Sequence, residues 1–180
     1  LCSVVGDDFR GKQLKHLLQK ETLTTDGIFV ERGRKTTIKT RVISEEKHQL
    51  RIDEEQTNAI TVEKDFLDLV FQHMQNVDVV ILQDYNKGVL TPFIIENIIK
   101  KANQLGVSSI IDPKTNNFLS YKNCTIFKPN LKEIKVGCNI EFDENEIDEI
   151  NSATQSLQQK LNAKGVLLTL SEKGVCIQTV

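Results

Sequence analysis

No Cys-x-x-C pair occurs in this sequence; its four cysteines stand apart at Cys2, Cys124, Cys138 and Cys176. His16, His48 and His73 are spread far from metal-ligand spacing. That argues against zinc, whose ligands recur at short fixed intervals, and fits reduced thiols in a cytoplasmic protein. Neither sign of charge dominates, with 23 Lys and Arg against 25 Asp and Glu. A nucleic-acid or membrane surface driven by bulk charge is therefore not expected. There is no signal-peptide pattern and no apolar run of membrane-spanning length. The Gly-rich Walker loop, the G-x-S-x-G elbow and the G-x-G-x-x-G fingerprint are all missing. Their absence sets aside Walker-type NTPases and serine hydrolases. Tryptophan is absent and aromatics are few.

What is present is a chain of 180 residues, 39% hydrophobic, enough for one domain with a real core. Strand and helix patterns alternate along it. Residues 1–5 read as a buried strand, and Gly6-Asp7-Asp8 turns into a helix over 8–20. Asp7 is the expected cap of that helix. A polar passage runs to Gly33. Two β-rich runs follow at 36–43 and 49–52, a hairpin with a longer loop. Helical spacing at Leu67, Val70, Phe71 and Met74 comes next. Residues 77–82 form an apolar run with one Asp, the pattern of a strand covered on both faces. Thr91, Pro92 and Gly106 mark the cap, first turn and end of a helix. Strands are expected at 107–111, 124–127, 165–170 and 175–180, with helices from Asn130 and over 143–162. This rhythm predicts an α/β fold: an open, mostly parallel sheet with helices on both faces. The pair within 33–53 has no helix between its strands, so it is expected to leave the sheet as a small β lid. A chain that opens and closes inside core strands is expected to be incomplete at both ends.

Three strand ends carry polar clusters. The first is Asp84-Tyr85-Asn86-Lys87-Gly88, the second Asp112-Pro113-Lys114, the third Lys128-Pro129-Asn130-Leu131-Lys132-Glu133. In open α/β sheets, ligands bind outside the carboxyl ends of the strands, and helix starts favour anions. Singly, each cluster is equally well a turn or a helix cap, and Asn130 with Glu133 has capping-box spacing. Three on one edge point to a binding crevice. In the lid, alternation places Thr37, Lys39, Arg41 and Ile43 on one side, and Gln49, Arg51 and Asp53 together on the partner strand. Lys39, Arg41 and Arg51 form a basic face suited to a phosphorylated small molecule. A charged edge that discourages aggregation is the competing reading. The opposite lid face, with Ile38, Val42, Leu50 and Ile52, is apolar and exposed, which favours a homodimer.

These segments, in this order, resemble the ribokinase-like carbohydrate kinases. Thr36–Ile43 and Gln49–Asp53, Asp84–Leu90, Asp112-Pro113-Lys114 and Leu168–Gly174 are most similar to the branch that phosphorylates D-glycero-β-D-manno-heptose 7-phosphate, often the first half of a bifunctional kinase/adenylyltransferase. The resemblance implies ATP and Mg²⁺ as cofactors and transfer to the anomeric hydroxyl, on the route to ADP-heptose for lipopolysaccharide core. It implies a nucleotide site at Asn130, Glu133, Lys132, Leu131, Asp112 and Lys114, with Glu133 meeting the metal through water. It implies a sugar-phosphate site at Lys39, Arg41, Arg51, Asp84 and Lys87, closed by the lid. The family's base is the Asp of a Gly-Ala-Gly-Asp turn, which these residues do not contain. The family's first strand and Gly-rich sugar loop are missing too, and Asn86 stands where the branch usually has Gly. No catalytic base is therefore assigned, and these residues alone are expected to be inactive or unstable. The alternatives are a kinase of another sugar or nucleoside, and a non-catalytic sugar- or nucleotide-binding module.

Overall fold

A computed structural model describes residues 1–179. The chain divides into two compact units, residues 1–70 with 87–89, and residues 71–86 with 90–180.

The first unit opens with β1 (Ser3–Gly6) and α1 (Phe9–Lys20), then β2 (Ile28–Glu31), which pairs in parallel with β1. The short β2 lies within the passage read above as polar. Its signal is the apolar run Ile28-Phe29-Val30, short enough to be swamped by polar neighbours. Gly6 and Gly11 let the strand, its turn and the helix approach closely. A Cβ on Gly6 would lie 2.0 Å from the Arg34 carbonyl oxygen, and one on Gly11 would lie 2.4 Å from the Gly6 carbonyl oxygen. The cap of α1 is Asp8, not Asp7. Asp8 Oδ1 accepts from the Gly11 N–H at 2.8 Å, whereas Asp7 Oδ1 accepts from the Gly33 N–H at 3.2 Å. The same Asp8 carboxylate takes the Thr36 N–H and hydroxyl, each at 2.8 Å. The base of the lid is thereby fastened to the start of α1.

The lid is an antiparallel pair, β3 (Ile38–Ser44) and β4 (Lys47–Glu54), forming a sheet of its own. Lys39 pairs with Asp53 and Arg41 with Arg51, which puts all four on one face as alternation predicted. A bulge follows, because Val42 pairs with Leu50 but Ile43 pairs with His48. Gln49 is the extra residue, so the alternation read from sequence stops short of Ile43 and Gln49. Val42, Leu50 and Ile52 are exposed. Helix α2 (Glu63–His73) then carries the chain into the second unit.

The second unit is a five-stranded sheet, β5 (Val79–Gln83), β6 (Ser108–Asp112), β7 (Ile126–Phe127), β8 (Gly165–Thr169) and β9 (Val175–Thr179), in that spatial order. The first four strands are parallel and β9 runs antiparallel to β8. Val180, assigned by sequence to the last strand, lies outside the described residues. Helix α3 (Pro92–Leu105) starts at Thr91 and ends at left-handed Gly106, as its residues foretell. Helices α4 (Leu131–Cys138) and α5 (Ile147–Leu161) connect β7 to β8. The expected start of α5 at 143 moves to Ile147, because Asp143 forms a turn whose carboxylate accepts from the Asn145 N–H. The core gathers Ile94, Ile95, Ile98 and Ile99 of α3 with Ile111, Phe127, Leu157, Val166 and Leu168. Phe127 meets Phe118 edge-on at 5.0 Å, and Gly137 of α4 leaves room for that ring, since a Cβ there would lie 2.3 Å from it. One expectation fails. The β5 strand is not covered on both faces, for Val79 and Ile81 are exposed while Leu82 is buried. As an edge strand it alternates, which its unbroken apolar sequence disguised.

Replacing Asp8 with Ala removes a helix cap and two ties to the lid, and is expected to destabilise the protein by about 1–2 kcal/mol. Burial works to raise the Asp8 pKa, but the Thr36 and Gly11 donors outweigh it and hold the carboxyl below the usual range. The contribution is complete above the unfolded aspartate value, about 3.9, and is lost as pH falls through the lower folded value. Urea denaturation midpoints of wild type and Asp8→Ala should therefore differ at pH 7 and converge in acid.

Candidate functional site at the strand ends

Because β5, β6, β7 and β8 are parallel, their carboxyl ends share one edge of the second unit. Asp84, Asp112, Lys114, Lys128, Asn130 and Glu133 all come from the segments that leave it. The helix start is the best-defined part. The Asn130 side chain accepts from the Glu133 N–H at 2.9 Å, and Glu133 Oε2 accepts from the Asn130 N–H at 3.0 Å. This reciprocal box satisfies one orphan donor at each end of the first turn. The Asn130 side chain is exposed while Glu133 is buried. Leu131 and Lys132 occupy the first two helical positions, whose N–H groups lack intrahelical acceptors. Those donors, with the positive end of the helix dipole, suit an anion.

A second charge is built in. The Lys114 ammonium pairs with Glu133 Oε1, so both oxygens of this buried carboxylate have protein donors. The Glu133 hydrogen bond raises the Lys114 pKa against the opposing effect of burial, with further help from Asp112 and Asp84. Lys114 is thus firmly cationic beside the helix start. Lys128 pairs with Asp112 Oδ1 at 2.9 Å, placing another cation at the end of β7. The site therefore alternates carboxylate and ammonium around a helix N-terminus, an arrangement that can receive phosphate oxygens and a hard cation together.

Asp84 lies deeper than its sequence position suggested. It is buried, with Oδ2 accepting from the Tyr121 hydroxyl at 2.8 Å and Oδ1 from the Asn86 N–H at 2.7 Å. Burial pushes the Tyr121 phenol far up, and the Asp84 charge adds to it, so Tyr121 stays a donor. Asp84 is spent on organising the turn at left-handed Asn86. Lys87, the residue after Asn86, belongs to the other unit, where it pairs with Glu55.

The lid residues also meet there. Lys39 lies 3.2 Å from Asp53 Oδ2 and 3.4 Å from Glu55 Oε2, Arg51 lies 3.1 Å from Asp53 Oδ2, and Lys87 lies 2.6 Å from Glu55 Oε2. The lid face is thus mixed rather than purely basic. Deeper in this unit, Arg34 pairs with Glu31 at 3.1 Å and donates to the Asn58 carbonyl. Asp112, Lys114, Leu131 and Lys132 thus gather with Asn130 and Glu133, while Lys39, Arg41, Arg51 and Lys87 gather on the lid unit. Reasoning from sequence missed Tyr121, Lys128 and Glu55 as members. Lys128 stood in the motif beside Asn130. Tyr121 lies 37 residues from Asp84 with no local pattern to link them.

A family profile described as pfkB family carbohydrate kinase matches residues 1–179. The chain is 36% identical over 177 residues to the bifunctional protein HldE of Campylobacter curvus, covering 98% of this chain and 37% of that one. Among solved structures, ribokinase from Giardia lamblia superposes with a TM-score of 0.75 at 15% identity, covering 99% of this chain and 58% of that one. The ribokinase of Arabidopsis thaliana complexed with ribose and ATP gives 0.70 at 18%, covering 99% and 57%. The structural likeness establishes a ribokinase-like α/β fold. The chain spans little more than a third of the curated relative's length.

Tyr121→Phe removes the hydroxyl that donates to Asp84 Oδ2, the one donor to that buried oxygen among the described residues. A loss of about 1–3 kcal/mol is expected, read as a lowered midpoint in chemical denaturation.

Proposed function

The chain belongs to the pfkB family of carbohydrate kinases, and on that premise we propose that it forms part of a kinase of D-glycero-β-D-manno-heptose 7-phosphate. In this reading the complete protein moves the γ-phosphoryl group of ATP to the C1 hydroxyl, giving the 1,7-bisphosphate and ADP in the cytoplasm, towards ADP-heptose and lipopolysaccharide core. The observation that carries it is the buried Glu133 carboxylate, fixed between the Asn130 N–H and Lys114 at the start of α4.

ATP with Mg²⁺ supplies the transferable phosphoryl group when bound. The residues present fit that pair. Carboxylate oxygens of Asp112 and Glu133 are the donors a hard cation prefers. Both Glu133 oxygens already have protein partners, so Glu133 would support the ion indirectly and not as a direct ligand. The Leu131 and Lys132 N–H groups and the Lys114 and Lys128 ammoniums would receive phosphate oxygens. Phosphoryl transfer depends mostly on positioning and electrostatics, and this arrangement supplies both. Lys39, Arg41 and Arg51, with Lys87, hold the sugar's 7-phosphate, and Asp84 positions the turn that leads to Lys87. Support for the phosphorylated sugar comes from the lid cations, which outnumber the carboxylates Asp53 and Glu55 that pair with them.

We further propose a homodimer through the lid, since Val42, Leu50 and Ile52 expose an apolar face opposite those charges. Light scattering of the complete protein should give twice the chain mass, and Leu50→Asp should lower it to that of a monomer. A monomeric wild type contradicts the dimer.

The complete gene product, given Mg-ATP, should release ADP with heptose 7-phosphate well ahead of fructose 6-phosphate, ribose or adenosine. Glu133→Gln should lower activity by about 10–100-fold, the usual cost of losing a group that supports a metal from outside its ligand shell. Preference for an unphosphorylated substrate would overturn the substrate assignment, and full activity of Glu133→Gln would overturn the role of Glu133.

A further inference from the structure

The lid unit carries more negative charge than a phosphate site needs, and its placement is informative. Lys39, Arg41, Arg51 and Lys87 belong to one cluster with Asp53 and Glu55. Four cations against two carboxylates leave two positive charges. A phosphomonoester is close to a dianion at neutral pH, its second pKa being about 6, so the cluster complements one such group. Arg41 faces Arg51 in register, a juxtaposition of like charges that Asp53 relieves in part through Arg51 and a further anion would relieve more.

The two carboxylates are held differently. Asp53 lies inside β4, opposite Lys39, and the ladder fixes it. Glu55 lies one residue past the end of β4 and outside the strand pairing. Its Oε2 alone collects both ammoniums, Lys87 at 2.6 Å and Lys39 at 3.4 Å. One carboxylate oxygen shared by two ammoniums is the contact a phosphate oxygen would make with them. Asp53 Oδ1, meanwhile, is shielded from solvent and has no hydrogen-bond partner, so the cluster is not fully satisfied as it stands.

We propose that Glu55 is an internal counter-ion that occupies Lys39 and Lys87 in the free protein and is exchanged for the phosphate of the incoming ligand. The inference rests on the reading of the lid as a phosphosugar site and adds a residue that sets its affinity. A dianion competes with Glu55 for the two ammoniums, so Glu55 lowers the affinity for the phosphorylated ligand that displaces it, while Asp53 keeps the cations oriented during the exchange.

The test uses the complete protein with its nucleotide site filled by ADP, and inorganic phosphate as probe in calorimetric titration at fixed ionic strength. Glu55→Gln should bind phosphate several-fold more tightly than wild type, and Lys87→Ala and Lys39→Ala several-fold more weakly. In steady-state assays, Glu55→Gln should lower the KM for the phosphosugar without raising kcat, a split that a merely structural role would not produce. Glu55→Ser gives the same readings if Gln is poorly folded. If both lysine variants bind phosphate like wild type, the lid is not the phosphate site and the proposal falls with that reading. If they weaken binding but the Glu55 variants leave it unchanged or weaker, the phosphosugar site stands and the counter-ion role is overturned.

Discussion

Everything proposed for the second unit depends on one buried carboxylate. Glu133 closes the first turn of α4 through the Asn130 N–H and at the same time takes the Lys114 ammonium. A buried carboxylate is costly unless paired and hydrogen-bonded, and here both conditions are met by residues from two strand ends. The same pairing that makes Glu133 affordable fixes where α4 begins. It also fixes Lys114, whose pKa the Glu133 hydrogen bond raises further. The free N–H groups of Leu131 and Lys132 are aimed by that geometry. Removing the carboxylate therefore disturbs the helix start, a cation and an anion-binding turn together.

The first unit relies on the same principle with looser parts. Asp8 joins the α1 start to Thr36 at the foot of the lid. Glu31 is held below the usual carboxylate range despite its burial, because Thr61 and Arg34 supply donors. These contacts are buried or half-buried and anchor the hairpin's base. Farther out, the Lys39, Arg51, Asp53, Glu55 and Lys87 network is more exposed and correspondingly weaker pair by pair. A firm base and an exchangeable charged face are what a lid over an anionic ligand requires.

Much of this was legible in the residues. Thr91, Pro92 and Gly106 announced α3, and Asn130 with Glu133 announced the box at α4, because caps are local chemistry. Alternation gave the facing of Lys39, Arg41, Arg51 and Asp53 up to the bulge. Contacts distant in sequence were not legible. Tyr121 with Asp84 and Lys114 with Glu133 depend on which strands lie side by side. The β2 strand is too short to show its period, and the bulge at Gln49 depends on pairing rather than composition. Asp7 and Asp8 are equivalent by residue type, and only the turn decides which one caps.

The central claim is that nucleotide and phosphosugar are held by different segments, the α4 start and the lid. Hydrogen–deuterium exchange on the complete protein tests it most directly. Mg-ATP should protect amides around 128–134, and heptose 7-phosphate added alone should protect 38–55. Protection of the lid by nucleotide alone, or no lid protection by a phosphosugar that binds, would contradict the account.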